Sequence, residues 1–512
     1  MRTNMDIIDK YEDKCQVKKG LYCSNGASLE FNPEGEKHPI FHYSNEKDVI
    51  HDLGGNTYVI HGKMTPFLVE DCSDITIKNA RFTYECPTIG EFTVISSKPG
   101  FAEINIADDN KYLIENDTLI YRNPPYWSFE YDGKDTLSMI YLPQNGNLVM
   151  SPYRGNKTRF PAIPKIKKII EVRKGWLHVW FEDQKIVLEP LSVFQTRHVD
   201  RNEIAGYFSC SKNIRLENVE FNFAGGMGLV FQNCRDIELI NVRFIPKNGR
   251  VISSQADFFH FSNCSGNISL CDCMGVGAHD DIINVHGTYL RIMKVKKDKL
   301  LLRFMHPETF GFLPFDKGDE MEIVDGDSLD IKFKCMVKDA RQINLTDIEV
   351  ILEENAPKTI KEGLDAAQNI SRNPSLHMNK CYFERIATRG ILFTSEKTAL
   401  IENCTFKHLG GPLLYVSGDC NSWFESGHAG KISLLNNYFE HSDCGMNGEG
   451  SPLILFEPII NEKKGPIHEY LEIKGNTFRK PAAGKYKIEL HSLKQYEIED
   501  NDFDAEIEIF SD

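Results

Sequence analysis

Three aspartates lie in or beside two similar segments, two of them at matching positions, and they could work together as acid and base. Asp257 begins the segment DFFHF, and Asp281, preceded by Asp280, begins the segment DIINV. Aligning the segments puts Asp257 and Asp281 at the same position of consecutive strands, ~4.8 Å apart if those strands stack in parallel. Neighbouring carboxylates repel, which raises the pKa of one of them and creates an acid beside a base. Hydrolysis of a glycosidic bond requires that pair of functions.

Further polar residues surround these aspartates, and we expect them to bind substrate: His279, Asn284, His286 and, by continuing the alignment along the chain, Arg389. An aspartate at a strand start commonly only caps a turn, but three with these neighbours favour a catalytic interpretation. Asp280 and Asp281 would point to opposite faces of a regular strand, so both face one cleft only if the chain bends. For His279, an ordinary hydrogen-bonded histidine is an equally good interpretation.

The segment DCNSWFESG, which starts at residue 419, is a second candidate site and is predicted to form a turn. An indole covers the apolar face of a sugar ring, while an amide and a carboxylate bond its hydroxyl groups. Asn421, Trp423 and Glu425 therefore predict a sugar-binding group. The competing interpretation is that Trp423 packs under the loop as core.

Metal binding is the alternative for the aspartate cluster, because Asp257, Asp280 and Asp281 with His279 could hold calcium. The DxDxDG spacing of a calcium loop is missing there, so we predict neither a metal nor a cofactor. The fourteen cysteines show no CxxC spacing, and eight in strand-like segments are predicted to be small buried thiols: Cys210, Cys234, Cys264, Cys271, Cys273, Cys381, Cys404 and Cys420.

These segments belong to a repeat of alternating apolar residues, a polar turn residue and a Phe. The copies end at Phe82, Phe221, Phe244, Phe383, Phe406, Phe439, Phe478 and Phe503, and a degenerate copy at Asp272 lacks the Phe. Alternation predicts strands with one buried face, and Asn at the turn tolerates unusual φ. Since neither the helices of leucine-rich repeats nor blade signatures occur, we predict an all-β chain folded as a right-handed parallel β-helix.

Two stretches interrupt the repeat with other strand signals, and they predict two inserted, small β-barrel-like domains rather than long loops. The expected order is the N-terminal part with the first coils at 1–95, the first insertion at 96–200, coils with the aspartates at 201–288, the second insertion at 289–370, and C-terminal coils at 371–512.

Composition narrows the classes of partner. A net charge of −15 disfavours nucleic acids, which bind basic surfaces. No apolar stretch is long enough to span a membrane. The N-terminus lacks the apolar core of a signal peptide, which fits a cytoplasmic protein, or a periplasmic or secreted one whose leader was removed, so the location stays open. The sequence leaves the oligomeric state open.

The motifs resemble glycoside hydrolase family 110, the α-1,3-galactosidases that act on blood group B and related α-galactosyl epitopes. The resemblance runs through ADFFH, HDDIINVHG, TRGIL and NSWFESG, which start at residues 256, 279, 388 and 421. It covers most of the chain, including the interruptions, where the family carries inserted β-barrels. The HDD and NSWFESG motifs are specific, whereas many β-helices share the strand repeat.

The resemblance implies an inverting, metal-independent exo-hydrolase that releases terminal α-1,3-linked galactose from an oligosaccharide or glycoconjugate. It implies that Asp257, Asp280 and Asp281 are the catalytic aspartates, a pattern that is also similar to polygalacturonase. Direct stacking would place carboxylates ~5 Å apart, whereas inversion uses about 6.5–9.5 Å. We therefore expect the productive pair to be diagonal or to diverge at the bend.

Two other functions remain as alternatives. A non-catalytic glycan-binding β-helix of the tail-spike or adhesin type would need aromatic platforms but no carboxylate cluster. A polysaccharide lyase would need a calcium site and a basic residue facing an acidic polymer, which a chain of charge −15 repels. Preference for branched or linear substrates is left open.

Overall fold

The computed structural model describes residues 38–144, 147–150, 164–199, 201–247, 249–306, 309–441, 451–479 and 484–512. Within these ranges every helix or strand element is a strand, so the all-β prediction is confirmed. Among the same residues, no helix has the length and apolarity needed to span a bilayer.

The body of the molecule is a parallel β-helix built from two long sheets, as predicted. Sheet 1 has twelve strands, all parallel except the short Glu425–Ser426: Pro39–Ser44, Thr65–Glu70, Gly206–Ser209, Leu229–Gln232, Phe259–Ser262, Ile283–Thr288, Ile391–Thr394, Leu414–Val416, Glu425–Ser426, Ile454–Phe456, Tyr486–Leu490 and Ile507–Ser511. Sheet 2 has sixteen: Lys47–Ile60, Ser73–Tyr84, Lys212–Phe221, Arg235–Phe244, Ser265–Cys271, Met274–Ala278, Ser375–Asn379, Tyr382–Ile386, Ala399–Glu402, Thr405–Leu409, Lys431–Leu435, Tyr438–His441, His468–Lys474, Thr477–Arg479, Leu493–Glu499 and Asp502–Phe503.

The turn residue of the repeat performs the predicted role. Asn79, Asn218 and Asn241 have φ of 60°, 54° and 50°, the left-handed region in which Asn is tolerated. Their side chains bond from coil to coil, with Asn241 Nδ2 2.8 Å from Asn218 Oδ1 and Asn218 Nδ2 3.2 Å from Asn79 Oδ1. Each side-chain amide thereby donates a hydrogen bond to the amide oxygen of the preceding coil, and the turn occupies the same position in successive coils.

The repeated Phe residues form a stack through the core. Phe221 lies 5.4 Å from Phe82 and 4.9 Å from Phe244 between ring centroids, and the C-terminal coils continue the stack to Phe478 and Phe503, 4.3 Å apart. Apart from Phe503 in the last coil, which is partly buried, these rings are buried, and deleting one from a core typically costs about 3–5 kcal/mol. The hydrophobic core therefore runs along the helix axis.

Gly275 replaces the Phe in the degenerate copy, between Phe244 and Phe383 in the strand register. Phe258 fills the gap, with its ring 5.2 Å from Phe244 and 6.3 Å from Phe383. A Cβ at Gly275 would lie 2.4 Å from the Phe258 ring, so only glycine leaves room for it. Phe258 is thus anchored in the core and fixes the position of the adjacent Asp257.

Two antiparallel regions interrupt the coils. The first has a seven-stranded sheet and a three-stranded sheet, made of Ile89–Lys98, Phe101–Ile106, Thr136–Gln144, Asn147–Met150, Ile166–Arg173, Trp176–Phe181 and Val193–His198, and of Tyr112–Glu115, Thr118–Asn123 and Trp127–Glu130. A two-stranded pair, Asn202–Glu203 with Gly225–Gly226, follows it. The second is a closed six-stranded barrel, made of Leu290–Lys296, Lys299–Arg303, Glu320–Val324, Ile331–Gln342, Asp347–Leu352 and Ala366–Asn369.

The cysteines depart from the prediction at two positions. All the described cysteines are free thiols, but Cys210 is exposed and Cys271 is only partly buried. Cys210 has φ of 48° and Cys271 precedes the turn at Asp272, so both lie at coil corners. Burial was predicted for both because the hydrophobicity of a segment does not show whether a residue lies inside a strand or at the corner between two strands of a coil.

Candidate active site

The strand register confirms the alignment that brought the aspartates together. Phe259 pairs with Ile283, and Ile283 pairs with Ile391. Counting back two residues along each strand places Asp257, Asp281 and Arg389 in one column at the start of three consecutive strands of sheet 1. One oxygen of each carboxylate of Asp257, Asp280 and Asp281 lies within 4.8 Å of the others.

The chain bends where the two neighbouring aspartates require it. Residues 279–282 lie between the strands Met274–Ala278 and Ile283–Thr288, and Gly277 just before them has φ of 76°. A Cβ at Gly277 would lie 2.1 Å from the Val251 carbonyl, so the bend also needs the close backbone approach that glycine allows. Outside a regular strand the side chains no longer alternate, and both aspartates reach the same cavity.

Asp281 is buried and fully engaged by hydrogen bonds. It accepts bonds from Arg389 Nε at 2.9 Å and Nη2 at 2.7 Å, and from Thr388 Oγ1 at 2.7 Å. Burial raises the pKa of Asp281 to about 7, and the charges of Asp280 and Asp257 add to the rise, while Arg389 opposes it. A bidentate arginine fixes both oxygens, which leaves this carboxylate little freedom to approach a substrate.

Asp280 is the more accessible of the adjacent pair, with a side chain 18% exposed. Its Oδ2 lies 3.3 Å from Arg201 Nη1, its Oδ1 accepts a 3.2 Å bond from Thr388, and Arg389 Nη2 is 3.6 Å away. Two guanidinium groups thus lie beside this carboxylate. Asp280 has the access to the cavity that a base needs.

Asp257 faces the cavity from the preceding coil and is 4% exposed. Its Oδ2 lies 3.0 Å from His260 Nδ1, and its Oδ1 accepts a 3.3 Å bond from the backbone N–H of Asp281. The carboxyl group is thus held between a histidine of its own strand and the neighbouring coil, close to two other carboxylates.

His279 connects the site to the first insertion. Its Nδ1 accepts a 3.3 Å bond from Arg197 Nε, and its Nε2 lies 2.8 Å from Gln195 Oε1. Burial, together with the charges of Arg197 and Arg201, holds the pKa of His279 well below its usual range. The ring is therefore neutral, and its main contacts are with the inserted sheet.

The segment from residue 419 folds as a capped loop over the site. Asp419 accepts backbone bonds from Asn421 at 2.6 Å and Ser422 at 2.8 Å, and a further bond from Trp423. Residues Glu425–Ser426 then pair antiparallel with Gly287 and Thr288. A Cβ on Gly287 would lie 2.3 Å from Ser426 Oγ, so the glycine permits this pairing, which brings Glu425 Oε1 3.3 Å from Asn284 Nδ2.

Trp423 leans over the cavity rather than into the core. Its side chain is 47% exposed, and its ring lies 5.2 Å from the ring of His306 on the second insertion. The structure therefore excludes the interpretation of Trp423 as a core residue. The two rings offer an aromatic surface of the kind that covers a sugar face.

Two of the predicted substrate-binding residues do not line the cavity. Asn421 donates a 2.6 Å bond to the Gly326 carbonyl and accepts a 3.0 Å bond from Arg291, so it fastens the loop to the barrel. His286 lies behind His260, with 3.1 Å between their Nε2 atoms. The other predicted residues surround one cavity of about 400 Å³, a size typical of ligand pockets.

The cavity also has walls that the motifs did not predict. The first insertion contributes Arg197, and Arg201 directly follows it. The second insertion contributes His306 and Thr309, and Tyr415 lies on the next strand of sheet 1 after Arg389. The coil alignment could have placed Tyr415, which pairs with Leu392 in the register, but the residues of the insertions come from segments outside the repeat. Only the position of each insertion beside the aspartate column brings them to the site.

Trp423→Ala is expected to raise KM strongly and to leave the fold intact, since about half of Trp423 is exposed. A sugar face lost from an indole costs on the order of 1–2 kcal/mol, about a 5- to 30-fold change in binding. Glu425→Ala should act in the same direction. Steady-state kinetics on Gal-α1,3-Gal measure KM, and thermal unfolding checks the fold. Trp176→Ala, in the first insertion, is the control. Melting of Trp423→Ala with unchanged KM per folded molecule would contradict the expectation.

A parallel β-helix with clustered carboxylates and an exposed indole around one sugar-sized cavity defines a β-helix glycosidase. The domain family described as GLAA-B beta-barrel domain II matches residues 299–364, which lie in the closed barrel. The chain is 31% identical to the α-1,3-galactosidase A of Bacteroides thetaiotaomicron, over 89% of this chain and 78% of that one. It is 31% identical to the α-1,3-galactosidase A of Akkermansia muciniphila, over 83% of this chain and 68% of that one. The chain belongs to the α-1,3-galactosidase family, glycoside hydrolase family 110.

Proposed function

We propose that this protein removes terminal α-1,3-linked galactose from glycans by an inverting, metal-independent mechanism. The observation that carries the proposal is the group of three carboxylates, with oxygens within 4.8 Å of one another, in a cavity of about 400 Å³. Both insertions and the loop from residue 419 wall this cavity. A pocket closed on several sides suits the end of a glycan better than the middle of a polymer, which supports exo-cleavage.

Asp257 is the proposed acid and Asp280 the proposed base. Cleavage passes through an oxocarbenium-like transition state, which needs a proton on the departing oxygen and a water activated on the other face of the sugar. Asp257 is buried beside like charges, which favours its protonated form. Asp280 is the more accessible of the adjacent pair and lies 3.3 Å from the Arg201 guanidinium, a positively charged neighbour for a base. Asp281 acts by holding Arg389 in place.

A retaining mechanism is the second candidate, because the short carboxylate spacing favours it. The divergence expected at the bend is small, since one oxygen of each aspartate lies within 4.8 Å of the others. Retaining enzymes use carboxyl groups about 5–5.5 Å apart, and inverting enzymes about 6.5–9.5 Å apart. Inversion is proposed from the family resemblance and because hydrogen bonds to Arg389 and Thr388 hold Asp281 away from a nucleophile's role.

Proton NMR of the first galactose released from Gal-α1,3-Gal tests both function and stereochemistry. We expect free galactose, with the β-anomer appearing before the α-anomer. The α-anomer appearing first would establish retention. No galactose from either this disaccharide or the branched blood group B trisaccharide would refute the proposed substrate.

Activity is expected to survive removal of divalent cations. The guanidinium groups of Arg389 and Arg201 lie 2.7 Å from Asp281 and 3.3 Å from Asp280, where they compensate the carboxylates and oppose a further cation. Turnover in excess EDTA should equal turnover in buffer. A third sample, in which calcium is added back after EDTA, should show the same rate. A loss in EDTA that calcium restores would instead assign the cluster to a metal.

A further inference from the structure

A chain of buried hydrogen bonds leads from Asp257 away from the cavity. Asp257 Oδ2 lies 3.0 Å from His260 Nδ1, and His260 Nε2 lies 3.1 Å from His286 Nε2. His286 Nδ1 lies 2.6 Å from the backbone carbonyl of Gly287. Asp257, His260 and His286 are 4%, 2% and 2% exposed, so solvent does not compete for these hydrogen bonds.

The three links need three hydrogens. A carbonyl oxygen only accepts, so His286 Nδ1 carries the first hydrogen. The second lies between the two Nε2 atoms, because two bare ring nitrogens at 3.1 Å would oppose their lone pairs. The third lies between His260 Nδ1 and Asp257, because a bare nitrogen would repel a carboxylate. Two neutral imidazoles supply only two hydrogens, so the chain contains one additional proton.

We propose that His260 and His286 are positioning residues that store the proton which Asp257 delivers to the departing sugar. The inference rests on the proposed function, in which Asp257 is the acid. With its stored proton the group of Asp257, His260 and His286 is neutral, although it contains a carboxylate. The Gly287 carbonyl fixes the His286 tautomer, and His286 in turn requires the hydrogen on His260.

The proton balance of the reaction follows from this arrangement. As the bond from the anomeric carbon to the glycosidic oxygen breaks, its electron pair goes to that oxygen, which takes the proton from Asp257. Water adds to the carbon and gives its proton to Asp280. After the products leave, Asp280 releases that proton to solvent, and solvent returns one to Asp257. After Asp257 has given up its proton and before solvent returns one, only two hydrogens remain for the three hydrogen bonds. The contact between the Nε2 atoms of His260 and His286 is then the one without a hydrogen. That buried state is unfavourable and drives the reloading of Asp257.

The charges that face this group favour the loaded state. Asp280 and Asp281 lie on the next coil, and Glu425 on the overlying loop places Oε1 3.9 Å from His286 Nε2. All three attract a proton, whereas Arg389, paired with Asp281 at 2.7 Å, opposes it. On the preceding coil Val230 stands opposite His260 in the register and adds no charge.

The test compares His286→Leu with His286→Gln on two substrates. Leucine removes the acceptor for the His260 Nε2 hydrogen, whereas the glutamine amide oxygen can still accept it. The substrates are Gal-α1,3-Gal, whose leaving sugar needs a proton, and α-galactosyl fluoride, whose leaving fluoride needs much less help. The control is His377→Gln, because His377 lies on sheet 2 and pairs with Glu402 at 2.9 Å. His286→Asn replaces the leucine variant if thermal unfolding shows that the latter does not fold, since its shorter amide does not reach His260.

We expect His286→Leu to lower kcat/KM on the disaccharide by up to about 10²-fold and to change hydrolysis of the fluoride little. The alkaline limb of its pH profile should move to lower pH by about one unit, the order of one charge-assisted hydrogen bond. His286→Gln should restore both. An unmoved alkaline limb, or equal losses on both substrates, would overturn the inference. If the wild-type protein hydrolyses the fluoride but not the disaccharide, the proposed substrate fails instead.

Discussion

Asp257→Asn, Asp280→Asn and Asp281→Asn are each expected to lower turnover of Gal-α1,3-Gal by orders of magnitude without unfolding the protein. Loss of a positioned acid or base typically costs about 10²–10⁴-fold. Asparagine keeps the shape of the side chain but neither donates the carboxyl proton nor accepts one. Asp281→Asn acts differently, because it weakens the pair with Arg389 rather than removing the acid or base itself.

Activated substrate separates these roles. Asp257→Asn should regain much of its rate on α-galactosyl fluoride, because fluoride leaves with little protonation, whereas Asp280→Asn should stay slow because water still needs a base. Asp272→Asn is the matched control: it makes the same chemical change at a coil turn with φ of 54°, where other coils carry Asn. Near wild-type turnover of any one of the three variants would remove that residue from the site.

Arg389→Met is expected to have the largest effect on stability. The guanidinium makes two bonds to the buried Asp281 carboxylate, at 2.9 and 2.7 Å. Removing one partner of a buried pair commonly costs about 3–5 kcal/mol, because the other charge remains buried and uncompensated. Urea unfolding measures this, and Arg341→Met, which breaks an exposed pair with Glu349, should cost less than about 1 kcal/mol.

The loss in Arg389→Met should depend on pH with a definite sign. In the folded wild-type protein burial already raises the pKa of Asp281 from 3.8 to about 7. A carboxyl whose pKa is higher in the folded state binds more protons there, so stability falls as pH rises through that pKa. Without Arg389 the pKa rises further, and the variant should be weakest near pH 8 and recover near pH 6. The double variant Arg389→Met with Asp281→Leu should regain stability but not activity. Equal destabilisation at both pH values would show that removing Arg389 leaves the pKa of Asp281 in the folded protein unchanged.

The repeat determined the coil architecture because its Asn and Phe positions each have a defined structural role within the coil. Asn218 and Asn241 adopt left-handed φ of 54° and 50°, and Phe221 stacks on Phe244 at 4.9 Å. Since consecutive coils share one register, aligning DFFHF with DIINV was enough to place Asp257, Asp281 and Arg389 in one column. In a solenoid, sequence alignment within the chain predicts spatial neighbours, and that is why the aspartate cluster could be predicted.

Contacts made outside the repeat could be known only from the tertiary structure. Nothing in the sequence indicates that Phe258 fills the space above Gly275, or that Arg201, just after the first insertion, lies 3.3 Å from Asp280. The same holds for Asn421, whose amide bonds Gly326 of the barrel rather than a sugar, and for the link between His260 and His286. The sequence by itself determined the coils, the aspartate column and the family. The tertiary structure decided the walls of the cavity and the hydrogen-bond partners of Asp257. These depend on how the inserted segments pack against the coils and on the side-chain rotamers around Asp257, and the sequence repeat specifies neither of them.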